Sequence, residues 1–462
     1  MQNVKNKKAV PAEVSVKSDG FAGHPPGLKT LFFTELWERF SYYGMRAILM
    51  LYMVAPAVDG GLGFDVKRAG IIYGFYTMLV YMGSIPGGFI ADRYLGSRRA
   101  VFIGGAIIAL GHFSLAFPQL PFFYVGLGLI IVGTGLLKPN ISAMVGGLYG
   151  PDDPRRESGF SIFYMGINIG GFIAPLVCGY LAQGLEFKKV LQSWGLAGHT
   201  SWHWGFAAAG VGMLLGLAQY IAFRRHLASV GAKPERVGLQ PDKVEPLTAS
   251  EWRRVAAIGV FFVFTVVFWS IYEQAGTSLN LFADRLTADQ LCGWHFPSSW
   301  YQSLDAIYVI ALAPVFSWLW MKLGSKQPSS PAKFAAGLLF VGLGIGLMVP
   351  ASLLAASGKV SPLWLVCAYL LQVIGEMCLS PVGLATVTRL APPRLLGLMM
   401  GVWFLAASFG NFLAGCFGGL FNDKDASVLV TLFGSMAGLG IAAAVVLAFL
   451  TPAVRKLMGA VR

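Results

Sequence analysis

From residue 29 onward the chain alternates between long apolar runs and short polar segments. The runs fall at about 29–56, 69–91, 99–117, 121–147, 157–184 and 203–224, and then at about 254–283, 300–323, 332–356, 362–388, 396–421 and 428–451. About 20 apolar residues cross the hydrocarbon core of a bilayer as one helix. The pattern therefore predicts an all-α polytopic membrane protein with twelve transmembrane helices. A basic stretch rich in Pro and charge, 225–253, separates the first six spans from the last six. The organisation expected is a cytoplasmic tail over 1–27, a six-helix bundle over 28–227, a cytoplasmic linker over 228–250 and a second six-helix bundle over 251–462.

The first span departs from the pattern. Its stretch 31–51, LFFTELWERFSYYGMRAILML, carries Glu35, Glu38, Arg39 and Arg46. A charge at mid-bilayer costs several kcal/mol, about 2.5–3.5 on insertion scales. At about 100° per residue the four charges share an arc of about 100°, with Tyr42 and Tyr43 on or beside it. Trp37, Phe40 and Gly44 turn the other way. One face of this helix must therefore look into protein or a water-filled cavity.

Composition agrees with a membrane protein. Of 462 residues, 56% are hydrophobic and 12% charged, and the mean hydropathy is +0.64. The formal net charge of +13 raises nucleic acid as a partner. The basic residues sit in loops between apolar spans, however, so the charge reads as positive-inside and no nucleic acid is expected. Counting from the N-terminus, Lys and Arg gather in the tail, around Arg93 to Arg99, at Arg155 and Arg156, in the central seam, at Lys322 to Lys333, at Arg389 and Arg394, and after residue 454. The alternate loops hold few, so both termini are expected in the cytoplasm of a multi-pass plasma membrane protein, in bacteria the inner membrane. The tail lacks an apolar stretch with a cleavage site, so no signal peptide is expected. Four of the five cysteines lie inside apolar spans and none forms a CxxC pair, which implies neither disulfides nor a metal site.

The halves carry a weak internal repeat. The fourth span reads Ile131-Val-Gly-Thr-Gly-Leu-Leu-Lys138-Pro139-Asn140 and the tenth Val373-Ile-Gly-Glu376-Met-Cys-Leu-Ser380-Pro381-Val382. Gly133 aligns with Gly375 and Pro139 with Pro381. Two six-helix halves in parallel repeat are the design of the major facilitator fold, with the substrate site between them near mid-bilayer. The segment Gly88 to Arg99 after the second span resembles the loop signature of that superfamily and reads as a gating element.

Ionisable residues inside the spans divide unequally. The first half has Glu35, Glu38, Arg39, Arg46 and Lys138, and the second Glu273, Asp305 and Glu376. A cavity basic on one wall and acidic on the other suits a small zwitterion with separated charges. Its carboxylate would go to Arg46 and Lys138 and its amine to Glu376 and Asp305. Alternatively the charges only pair with one another to hold the halves together; the two readings agree if the pairs break during transport. Glu35, Glu38 and Glu273 are candidate proton carriers, since protonating one frees its basic partner. Asn168 within Phe163–Gly170 can bind substrate or bridge helices. Tyr81, Trp269, Trp403 and Phe404 can line pockets or simply pack. A lone His112 in the third span reads as packed and neutral. Asn140-Ile-Ser142 lies inside a span and is no glycosylation site. No P-loop, zinc spacing or Gly-x-Ser-x-Gly is found, so neither ATP-driven transport nor an enzyme is expected.

The segment Glu35-Leu-Trp-Glu38-Arg39-Phe40-Ser-Tyr42-Tyr43-Gly resembles the first-helix signature of the proton-dependent oligopeptide transporters. Leu137–Asn140, Phe163–Gly170, Phe268-Trp269-Ser-Ile-Tyr-Glu273-Gln274 and Glu376–Pro381 resemble the family in the same order along both halves. The resemblance implies proton-coupled symport of di- and tripeptides, with protons as the coupling ion and no other cofactor. It implies that Arg39, Tyr43, Arg46, Tyr81, Lys138, Asn168, Trp269, Glu376, Ser380 and Trp403 face the peptide, and that Glu35, Glu38 and Glu273 couple to protons. Two departures stand out. The seam is too short and polar for the two extra helices of many bacterial members. Asp305, in Gln302-Ser-Leu-Asp305-Ala, stands where the family segment ends in Asn-Pro; it adds a titratable group to the substrate wall. The protein is expected to work as a monomer. The alternative is a carrier of nitrate or another small anion, against which the acidic wall argues. A channel would need a filter sequence, and none is seen.

Overall fold

The computed structural model describes residues 21–150, 153–232, 246–291 and 293–459. Most of the expected tail, the middle of the linker and Cys292 lie outside the described residues. The spanning helices are α1 Pro26–Val54, α2 Val66–Met82, α3 Ser97–Leu115, α4 Leu120–Gly147, α5 Arg156–Gln183 and α6 Ser201–Ala222, followed by α7 Ala249–Tyr272, α8 Ser303–Leu323, α9 Ser330–Gly346, α10 Leu363–Leu390, α11 Leu396–Gly418 and α12 Ala426–Met458. Among the described residues eleven helices are apolar and long enough to cross a membrane, and the charged α1, 29 residues long, makes the twelfth. Among the described residues the strand pairing is confined to a two-residue ladder, Gln290–Leu291 with Trp294–His295, in the loop before α8, and a single bridge between Thr287 and Val360.

Three of the spanning helices start on side-chain caps. Thr248 and Glu251 form a reciprocal capping box at α7. Asp65 and Asp425 accept backbone N–H groups at the starts of α2 and α12. Three spans are not continuous; α9 stops at Gly346 and resumes after Leu347 as a short helix, Met348–Ala355. α2 passes through Ser84–Ile90 into a wide turn at Ala91–Leu95, and α7 breaks at Glu273–Gly276 before a short helix, Ser278–Arg285. The last residues of the expected tail are docked: His24 Nδ1 lies 2.9 Å from the Tyr149 hydroxyl. The chain after α6 also stays packed, with Gly231 O accepting from Arg98 N at 3.0 Å.

The internal repeat has a structural counterpart. α3 crosses α4 where a Cβ on Gly133 would lie 2.6 Å from Gly104 O; α9 crosses α10 where a Cβ on Gly375 would lie 2.7 Å from Gly337 O. Small residues let helices touch backbone to backbone in lipid, where apolar burial drives nothing. Large apolar side chains such as Phe449, Leu110 and Val263 stand exposed on the outer faces.

The bundles meet along α2 with α11 and α5 with α8. A Cβ on Gly415 would lie 2.4 Å from Gly70 O, so these backbones are in contact. Across the other seam Ser303 Oγ donates to Phe172 O at 2.8 Å and Trp300 Nε1 to Leu176 O at 3.1 Å. Asn280 Nδ2 donates to Ala47 O at 2.9 Å and Gln183 Nε2 to Ser298 Oγ at 2.9 Å. These contacts lie towards the end of the bundles away from the termini, which is therefore closed. Towards the terminal end, Ser142 on α4 and Thr388 on α10 are exposed, one turn beyond Lys138 and two turns beyond Ser380.

Candidate functional site

The charged face of α1 is buried in protein. Glu35, Glu38, Arg39 and Arg46 are 3%, 0%, 3% and 6% exposed, so none reaches lipid. Glu38 grips Arg39 through both oxygens: Arg39 Nη2 donates to Oε1 at 2.7 Å and Nε donates to Oε2. Glu35 Oε1 lies 3.4 Å from the same Nε, one helical turn back. Its other oxygen has no protein partner among the described residues. The Arg39 guanidinium also lies 5.0 Å from the Tyr42 ring centroid, and Lys138 Nζ lies 4.2 Å from that of Tyr81.

Two turns along α1, Arg46 crosses to the second bundle. Its Nη2 donates to Glu273 Oε2 in a buried ion pair, and its Nε donates to the Tyr73 hydroxyl at 2.6 Å. The break in α7 places Glu273 here. Close approach fixes the glycine at the end of that break: a Cβ on Gly276 would sit 1.8 Å from the Tyr73 hydroxyl and 3.3 Å from Arg46 Nε.

Between the bundles lies a cavity of about 100 Å³. Tyr43, Arg46, Tyr81, Asn168, Trp269, Glu273, Asp305 and Glu376 line it, with Tyr272, Gln302 and Gly171. The Tyr272 hydroxyl bridges the acidic wall. It is bonded to Asp305 Oδ1 and, at 2.6 Å, to Glu376 Oε2. Trp269 packs edge-on against Tyr272 at 5.3 Å. Asn168 Nδ2 is spent on Tyr164 O at 3.0 Å, which leaves its carboxamide oxygen for the cavity. One space thus holds a guanidinium from the first bundle and three carboxyl groups from the second, those of Glu273, Asp305 and Glu376. Among the described residues no three His, Cys, Asp or Glu are gathered to hold a metal.

The sequence matches the POT family over residues 98–238 and 244–435. The chain belongs to the POT family. It is similar to other POT-type proteins over nearly its whole length. It is 41% identical to the uncharacterised transporter YclF of Bacillus subtilis, with 96% of this chain and 97% of that protein covered. It is 40% identical to the peptide transporter YePEPT of Yersinia enterocolitica, covering 95% and 96%. A crystal structure of a mutant peptide transporter POT in complex with alafosfalin superimposes with a TM-score of 0.86 at 38% identity, covering 96% and 97% of the two chains. A POT family transporter in complex with 5-aminolevulinic acid gives 0.83 at 33% identity, covering 95% and 98%. The likeness agrees with a major facilitator architecture of two six-helix bundles and with a peptide transporter, as the motifs lead one to expect.

Within this POT chain the expected site residues fall into three groups. Tyr43, Arg46, Tyr81, Asn168, Trp269, Asp305 and Glu376 border the cavity together with Glu273. Glu35, Glu38, Arg39 and Lys138 lie outside that lining, in a charged layer joined to it through Tyr43 and Tyr81. Trp403 packs on Phe334 at 6.2 Å and over Gly383, inside the second bundle, and Ser380 likewise lies outside the lining. The basic wall is not bare, since both arginines are engaged by carboxylates. Sequence reasoning passed over Tyr272 and Tyr73. The available signal was position: Tyr272 adjoins Glu273 and lies one helical turn after Trp269.

His112 is fully buried, and neither ring nitrogen has a hydrogen-bond partner among the described residues. Asn140 sits inside α4 and donates to Leu136 O at 2.7 Å. Cys178, Cys367, Cys378 and Cys416 are free thiols.

Proposed function

We propose that the chain carries di- and tripeptides into the cell together with protons, by alternating access of the central cavity. The observation that carries this reading is the Arg46–Glu273 ion pair, made across the cavity by the two bundles. Protonating Glu273 removes the charge that holds Arg46. The guanidinium then becomes the partner of a substrate carboxylate, and one link of the far-end closure is released. Proton and substrate thus act on the same cation in sequence. Glu38 and Glu35 hold Arg39 in the same manner, next to Lys138. The substrate's amine goes to the wall of Glu376 and Asp305. The contacts between the bundles at the far end close the cavity on that side, so loading from there requires the bundles to part.

The 5-aminolevulinic acid held by the second structural relative has its amine and carboxyl at opposite ends of a short chain. That is the charge pattern the two walls would recognise. A carrier of nitrate or another small anion would have no use for Glu376 and Asp305. With the basic loops inside, both termini lie in the cytoplasm of the bacterial inner membrane and the far end faces out. Transport of this kind needs no cofactor, no reaction at a substrate bond and no second copy of the chain, so the working unit is a monomer. The test is dialanine uptake by the purified protein in liposomes, with and without an inward proton gradient. Saturable accumulation above equilibrium only with the gradient is expected. Equal uptake in both cases, or competition by nitrate and not by dialanine, refutes the proposal.

A further inference from the structure

Around Tyr272 the hydrogen bonds do not balance without an additional proton. A phenol carries one proton and can donate it to one carboxylate only. Here a single hydroxyl is bonded to Asp305 Oδ1 and Glu376 Oε2, on two different helices. For both contacts to be hydrogen bonds, one of the two carboxyl groups must be protonated and donate to the phenol oxygen. The charged or titratable groups facing the trio are Arg46 and Tyr43 on α1, Tyr164 on α5, Glu273 on α7 and Tyr369 on α10. Arg46 is the one cation in that set, and it is already held by Glu273 and Tyr73. Ionising both carboxyl groups would place two negative charges about one hydroxyl, with no free cation beside them among the described residues.

We propose that Asp305, Tyr272 and Glu376 form a subsite with places for two positive charges, one taken by the substrate's ammonium and the other by a proton that a second cationic group on the substrate displaces. The inference rests on the peptide reading of the cavity and deepens it. With its proton the trio carries one negative charge and matches one ammonium. Protonated Asp305 then offers, as an asparagine would, both a donor and an acceptor. Without its proton the trio carries two negative charges and matches a substrate with two. The displaced proton leaves as hydronium through the water of the cavity, and no bond of the substrate changes. A dipeptide with a lysine side chain supplies the second charge, and that side chain stays charged through the neutral range.

The experiment measures binding of lysylalanine and of dialanine to the full-length protein in liposomes, in mildly acidic and mildly alkaline buffer. It also counts the protons released, from calorimetry in two buffers of different ionisation enthalpy. The two peptides share the same terminal groups, so their affinity ratio isolates the second charge. That ratio should rise by about tenfold or more towards the alkaline buffer, because an extra unit charge then meets a buried carboxylate. Lysylalanine should release one more proton per site than dialanine. In Asp305→Asn the ratio should be flat. A ratio independent of pH in the natural protein, equal proton counts for the two peptides, or a pH dependence that survives Asp305→Asn would overturn the inference. Should Asp305→Asn fail to fold, the proton counts on the natural protein decide alone. If neither peptide binds, the peptide reading falls and takes this inference with it; if both bind alike at either pH, only the inference falls.

Discussion

Replacing Glu273 by Gln keeps the shape of the side chain and removes its charge. Arg46 and Glu273 are 7% and 5% exposed at the side chain, so water cannot replace the lost partner. Removing one member of a buried pair costs about 3–5 kcal/mol. Glutamine still offers Arg46 one acceptor, and Tyr73 still holds Nε, so the lower figure applies. At about 1.4 kcal/mol per tenfold, 3 kcal/mol moves the balance between the closed and parted far end by about a hundredfold. The neutral variant also mimics the protonated carrier permanently. It should therefore exchange substrate across the membrane but not draw work from a proton gradient. In liposomes, gradient-driven dialanine accumulation should fall to about equilibrium, whereas counterflow of labelled dialanine into preloaded vesicles should persist. Paired with Arg46→Ala in a double-mutant cycle on thermal stability, the two changes should show a coupling of at least about 1.5 kcal/mol, as close buried charge pairs do. Full uphill uptake by Glu273→Gln would remove this residue from coupling, and additive stabilities would show that the pair is not a link in the closure.

Three further outcomes are expected. Lys138→Ala should lower kcat/KM for dialanine by about tenfold or more, the worth of one charge-assisted contact; unchanged uptake would take Lys138 out of substrate and proton handling. Gly74→Leu should hold α2 and α11 apart, since even a Cβ there would sit 2.8 Å from Phe412 O. Overpacking of this kind costs about 1–3 kcal/mol, and the native Cys416, beside Gly415 on the same seam, should react faster with a membrane-impermeant maleimide added outside; an unchanged labelling rate would deny that the glycine contact closes the far end. Trp403→Ala should cost about 3–5 kcal/mol of stability by emptying the space between Phe334 and Gly383 while leaving KM for dialanine in place; a raised KM at unchanged stability would put Trp403 on the substrate instead.

The spans were readable because a bilayer demands about 20 apolar residues in a row; their starts were read less well, since α2, α7 and α12 begin at Val66, Ala249 and Ala426, after the caps Asp65, Thr248 and Asp425 and ahead of the apolar runs. The alignment of Gly133 with Gly375 anticipated two equivalent helix crossings, since only glycine permits those backbone contacts. The break in α7 was not readable. Residues 273–276 contain no proline, and the turn is held by a contact with a distant part of the chain, Gln274 Nε2 donating to the Ala414 backbone carbonyl at 3.2 Å. The same division runs through the site. A charged residue in an apolar run announces a cavity, and so Arg46, Asp305 and Glu376 stood out. The sequence says nothing of which charge answers which. The pairing of Arg46 with Glu273 spans 227 residues and depends on where the α7 break puts a carboxylate. A tyrosine in a span announces nothing, because its ring packs like any other and its hydroxyl becomes informative only with its partners in place. Tyr272 shows the consequence. Taken apart, Asp305 and Glu376 each read as an anion waiting for an amine. Joined by one hydroxyl they form a single acidic unit, and under the proton-linked subsite proposed for them the substrate charge accepted by that wall would follow its proton.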